Sequence, residues 1–188
     1  MLARFWLAVT LIAFSTAAGN NVAQVRPPEP LARLEVNRIV EAMNGIWTGK
    51  MTANVPGAPV ESFDWKMNCQ LVAKGAGLSC INTGKASIGS MAESCLLAYD
   101  PDGKSIHYMC VTSMGEVHDH RGRWVDPKTI EFEPLRAGMM GQPIVETLKW
   151  RFVDADTIDK TSEVTLANGS VMKFEFMGKR LRGLVPAK

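Results

Sequence analysis

Between residues 63 and 71 apolar and polar positions alternate without a break. Phe63, Trp65, Met67, Cys69 and Leu71 fall on one phase, and Asp64, Lys66, Asn68 and Gln70 on the other. A period of two is the signature of a strand with one buried face. The same period recurs in Ile130 and Phe132, in Leu148, Trp150 and Phe152, and in Met172, Phe174 and Phe176. Turn signals separate these runs: Pro56-Gly57, Gly75-Ala76-Gly77, Asp100-Pro101-Asp102-Gly103, Gly115, Asp154-Ala155-Asp156 and Asn168-Gly169. The pattern predicts about nine to ten short strands joined mostly by hairpin-length connections. An all-β, up-and-down antiparallel barrel follows from this, because closure leaves no open edge. A two-sheet sandwich is the alternative.

Helical periodicity is confined to residues 31–43, where Leu31, Leu34, Ile39, Val40 and Met43 trace one face. Pro30 suits the first turn and Asn44-Gly45 ends the helix. Before it, residues 1–18 read as a signal peptide: Arg4, an apolar run from Phe5 to Phe14, then Ser15, Thr16, Ala17 and Ala18. The run is shorter than the ~20 residues of a membrane span, and no later stretch is apolar enough to cross one. Residues 19–30 form a linker. The barrel domain occupies residues 44–182, and the expected location is the periplasm or the extracellular medium. A net charge of +2, dispersed along the chain, leaves no footprint for nucleic acid. No protein partner and no cofactor can be named.

Cysteine placement adds a register. Cys69 and Cys80 are equidistant from Lys74/Gly75, and Cys95 and Cys110 from Asp102/Gly103. Two hairpins turning there would set each pair directly cross-strand, close to disulfide geometry. Leu71 then opposes Leu78, Tyr99 opposes Ile106, and Leu97 opposes Tyr108, so apolar meets apolar. Disulfides Cys69–Cys80 and Cys95–Cys110 are therefore expected, in an oxidising compartment. Pairing Cys80 with Cys95 and Cys69 with Cys110 is the alternative. A four-thiolate zinc site lacks the usual short spacings.

Gly45-Ile46-Trp47, opening the first strand after a short helix, resembles the Gly-x-Trp signature of lipocalin-like (calycin) barrels. In that family the Trp closes one end of the barrel under an Arg from the last strand, a role open here to Arg180 or Arg182. No Thr-Asp-Tyr-like second signature is evident. Asp100-Pro101-Asp102-Gly103 and Gly115-Glu116-Val117-His118 resemble bacterial exported barrels of unassigned function. The resemblance implies a small hydrophobic or amphipathic ligand inside the barrel, although fold alone does not assign function.

Interior candidates for such a ligand are Phe63, Trp65, Met67, Tyr99, Tyr108, Trp150, Phe152 and Phe174. A core packed solid with side chains is the competing reading, and it would make the chain an interaction domain. The three histidines, His107, His118 and His120, fall in one hairpin. With Met114-Gly115 as a two-residue turn, Val111 faces His118 and Met109 faces His120, and His107 lies diagonally on the same face. They could bind zinc or copper, with Glu116, Met109 and Met114 nearby. The same register turns them outward, away from Ile106, Tyr108 and Cys110, as a solvated polar patch. Residues 136–143 read as a flexible hairpin connection with Met139 and Met140 on the surface, a mobile apolar lid over a barrel mouth being the alternative. Asp154, Asp156 and Asp159 form a turn rather than a calcium loop. No Gly-x-Ser-x-Gly elbow or phosphate loop marks an enzyme.

Overall fold

A computed structural model describes residues 30–181, apart from 88, 114 and 140. The expected signal peptide, nearly all of the linker, Met114, Met140 and Arg182 lie outside the described residues. Helix α1 spans Pro30–Met43. Eleven strands follow: β1 Gly45–Asn54, β2 Glu61–Val72, β3 Gly77–Ala86, β4 Gly89–Asp100, β5 Ser105–Thr112, β6 Val117–Asp126, β7 Thr129–Met139, β8 Gln142–Pro143, β9 Val145–Asp154, β10 Thr157–Thr165 and β11 Val171–Arg180. Ten are long, and β8 is a two-residue return at the end of β7. Each long strand pairs antiparallel with its neighbours in sequence, and β1 pairs with β11, so the meander closes on itself. The architecture is the closed antiparallel barrel that the alternation predicts. No described helix is long and apolar enough to cross a membrane.

Alternation decides what fills the barrel. Trp47, Phe63, Trp65, Met67, Leu78, Leu97, Ile106, Tyr108, Ile130, Phe132, Trp150, Ile158 and Phe176 point inward and are buried. Small residues make room for the rings: a Cβ on Gly84 would lie 2.3 Å from Cε3 of Trp65, so only glycine lets that indole lie on β3. The second half of α1 packs across one end of the barrel, burying Ile39 and Met43. Leu34, expected on the same face, is exposed. At this end the Trp47 indole N–H donates to the carbonyl of Met43 at 2.9 Å. Arg180, the last residue of β11, stacks 4.4 Å from the Trp47 ring. Its guanidinium also donates to the carbonyls of Glu41, Ala42 and Asn44.

Both disulfides take the symmetric pairing. Cys69 opposes Cys80 and Cys95 opposes Cys110, with Cα atoms 4.0 and 4.1 Å apart. Cys80 also opposes Cys95, so the four cysteines form one row across β2, β3, β4 and β5. The facing predicted around both turns, Leu71 with Leu78 and Leu97 with Tyr108, is present.

The next hairpin departs from expectation by one residue. Thr112 N–H donates to the carbonyl of Glu116, and Gly115 N–H to that of Thr112, with Gly115 at φ 78°. The closing pair is therefore Thr112 and Glu116, which gives the turn an odd number of residues and a left-handed glycine at its end. His118 consequently opposes Cys110, and His120 opposes Tyr108. A one-residue slip moves every side chain to the other face. His118 and His120 thus point into the barrel, and His107 points out.

Candidate functional site

The row of cysteines continues onto β6 as His118, with His120 two residues further along the same inward face. A bulge in the β6–β7 pairing falls beside His120, whose partner is Pro134. Proline lacks the N–H that a regular ladder would need there, and bulges of this kind re-aim a neighbouring side chain. Beyond the bulge β7 pairs only with β6 and β8, and its pairing with β9 is confined to residues 129–132 and 148–151. The inward phase of β9 reads Glu146, Leu148, Trp150, Phe152, and that of β10 reads Ile158, Lys160, Ser162, Val164. Each places one charged residue on an otherwise largely apolar phase, with Ser162 beside it on β10.

These side chains meet. His118 Nδ1 donates to Glu146 Oε2. The Nε2 atom of His120 lies 3.2 Å from the same oxygen, and Nε2 of His118 lies 3.4 Å from Glu116 Oε2. The last two contacts are close but poorly aligned for hydrogen bonds. Both ring nitrogens of His120, which is fully buried, have no hydrogen-bond partner among the described residues. Ser162 Oγ donates to the other oxygen of Glu146 at 2.7 Å, and Thr112 Oγ1 donates to Glu116 at 3.2 Å. Burial alone would lower the pKa of His118, but Glu116 and Glu146 raise it to about 10. Burial would raise that of Glu146, but His118, His120 and Ser162 bring it down to about 2.

Lys160 lies deeper along the same wall. Its ammonium sits 4.2 Å from the centre of the Trp150 ring and donates to Met67 Sδ at 3.5 Å. Burial pulls its pKa down to about 8, against the pull of Glu93 and Glu146. Asn82 donates to Glu93 at 2.9 Å. Burial, then Glu93 and Glu146, hold the Tyr108 phenol well above its usual range, so it stays protonated, 3.3 Å from Cys95 Sγ.

This cluster borders a cavity of about 130 Å³. Its apolar lining includes Met51, Phe63, Trp65, Leu148, Trp150 and Phe174, and its polar lining Glu93, Glu116, His118, His120, Glu146 and Lys160.

Of the residues expected to line an interior site, Phe63, Trp65, Tyr108, Trp150 and Phe174 border the cavity. Met67 and Phe152 are packed in the core and Tyr99 lies against it. The grouping of three histidines is not formed. His107 is on the outer face, paired with Asp119, and its place beside His118 and His120 is taken by Glu146. Met109 and Val111 are exposed on the outer face. Residues 136–139 are strand rather than loop, and Met139 turns inward to the cavity instead of lying on the surface. Sequence reasoning missed Glu93, Glu146 and Lys160. The available signal was a charged residue on the apolar phase of a strand.

No family model matches the sequence, and no curated protein matches it. Solved structures resemble it at the level of fold. Rv2717c from M. tuberculosis is 14% identical, with a TM-score of 0.62 over 78% of this chain and 98% of its own. The S-type phycobiliprotein lyase CPES from Guillardia theta is 12% identical, with a TM-score of 0.53 over 84% of this chain and 99% of its own. What they share with this chain is the fold, a closed antiparallel barrel.

Proposed function

We propose that this protein is an exported barrel that binds a small, largely apolar molecule inside the half of the barrel remote from α1. The observation that carries the reading is the cavity of about 130 Å³, lined by aromatic and methionine side chains together with a small set of buried and half-buried charged groups. That is close to the roughly 150 Å³ apolar cavity known to accept one benzene ring. The ligand class is therefore a single-ring molecule, or a short chain with one polar end. The apolar body would lie against Trp65, Leu148 and Phe174, and the polar end would face Lys160 and Glu146. Met51, Met91 and Met139 also border the space, and methionine re-packs readily around ligands of different shape. Export is supported by the signal-peptide pattern of residues 1–18 and by two disulfides, which persist in oxidising compartments.

Toluene is a suitable probe. Saturating toluene should raise the melting temperature of the wild-type protein, because a ligand that binds only the folded state stabilises it by mass action. Leu148→Trp, which fills the space, should remove that response while leaving the barrel folded by circular dichroism. Equal responses from the two proteins, or none from the wild type, would refute the reading.

A further inference from the structure

The buried ring nitrogens of His120 pose a problem that the apolar ligand does not solve. A histidine with no exposure and no aligned hydrogen bond leaves polar atoms desolvated without the bonds that would compensate them. Nothing apolar in the cavity compensates for that. Its neighbours carry the missing chemistry. His118, His120 and Glu146 are all buried, and one donor atom from each can be chosen so that all three lie within 4.8 Å of one another.

We propose that His118, His120 and Glu146 form a binding site for one divalent first-row transition ion, of which zinc is the representative. The ligand types fit. Two imidazoles and a carboxylate leave one tetrahedral position open, as in zinc sites that bind a further molecule. Donors on one zinc at about 2.0–2.1 Å stand roughly 3.3–3.5 Å from each other, and His120 Nε2 and Glu146 Oε2 are already 3.2 Å apart. Both His118 Nδ1 and His120 Nε2 face the same carboxylate oxygen, so an ion entering there would replace the proton that now joins His118 to Glu146.

The surrounding residues fit as well. A metal-bound histidine commonly presents its second nitrogen to a carboxylate, which fixes the ring. Glu116 Oε2 lies 3.4 Å from Nε2 of His118. The carboxylate ligand is usually held by a hydrogen bond of its own, and Ser162 supplies one to Glu146 Oε1. His118-x-His120 on a single strand and Glu146 on another span the wall where β7 and β9 are unpaired. The open coordination position would belong to the cavity, since all three ligands line it.

This inference does not depend on an apolar ligand, and its test uses metal alone. The wild-type protein, stripped with chelator and dialysed, is titrated with zinc by calorimetry and with cobalt by visible absorption. The expected result is one ion per chain, with the absorption bands of four-coordinate cobalt. His120→Gln and Glu146→Gln should each lose at least tenfold in zinc affinity and lose those bands. Glu116→Gln should weaken zinc binding roughly 10–100-fold while keeping the bands, as loss of a supporting carboxylate does. His107→Gln, altered on the outer face, should bind as the wild type does. Circular dichroism separates a lost site from a lost fold, and Glu116→Gln keeps the test decisive if a ligand variant fails to fold. Absence of zinc binding by the wild type, or binding that survives His120→Gln and Glu146→Gln in folded protein, would overturn the proposal. So would binding abolished by His107→Gln.

Discussion

The two ends of the barrel interior follow one alternation and hold opposite contents. At the end covered by α1 the inward phase is Trp47, Leu78, Leu97, Ile106, Ile130 and Ile158, all essentially free of solvent. Arg180 reaches this end, stacks on Trp47 and satisfies the last carbonyls of α1. At the other end the same phase delivers Glu93, His118, His120, Glu146 and Lys160 to a space the side chains do not fill. Apolar packing stabilises, whereas buried ion pairs contribute little net stability against hydrophobic replacements. One end therefore carries the fold. The other departs from the rule of an apolar interior, and such departures concentrate at functional sites.

The largest effect is expected at the sealed end. Trp47→Ala should lower stability by about 3–5 kcal/mol in urea unfolding, as loss of a buried aromatic ring does. A loss of less than ~1 kcal/mol would break the claim that this end holds the fold. The disulfides come next. The paired change Cys95→Ser with Cys110→Ser opens a crosslink of 15-residue separation, and should cost about 3 kcal/mol. An unchanged transition would show that the crosslink is not formed in the protein under test.

A change at the polar end should go the other way. Lys160→Met should stabilise the protein by about 1–4 kcal/mol, since an apolar side chain of similar size replaces a buried cation. The gain should depend on pH. The lysine's pKa falls from 10.5 unfolded to about 8 folded, so the unfolded chain holds more protons between those values. The wild type then gains stability as pH rises. Its deficit relative to Lys160→Met should be full below pH ~8 and gone above ~10.5. Thermal melts of both proteins across that range check this, and a deficit that does not shrink would contradict it. The smallest effect is expected from Arg180→Lys, which keeps the charge but loses the planar stack and the forked hydrogen bonds. About 1 kcal/mol should be lost. A larger loss would mean that the stack, rather than the apolar layer beneath it, seals the end.

Much of the sealed end is legible in the chain. The alternation of Phe63 to Leu71 fixes facing, and the symmetry of the cysteines about their turns fixes register on β2 to β5. Gly45-Ile46-Trp47 marks the strand whose indole Arg180 covers. The polar end is harder to read for two physical reasons. The turn before β6 takes its length from a left-handed Gly115, and an odd rather than even turn reverses the facing of both inner histidines. Nothing in the local composition distinguishes the two. Glu146 and Lys160, moreover, are 26 and 40 residues beyond His120. Only closure of the barrel brings β9 and β10 to face β6. Phase on their own strands could have marked them, because a charge between Ile144 and Leu148, or between Ile158 and Val164, sits where a core residue belongs.

The most direct test of this asymmetry is a toluene titration followed through the indole N–H resonances of the folded protein. Trp65 and Trp150 border the cavity, whereas Trp47 is sealed under Arg180 and Trp124 lies under Arg38. Saturable shifts of the Trp65 and Trp150 signals are expected, with those of Trp47 and Trp124 unmoved. No saturable shift, or shifts of all four alike, would contradict it.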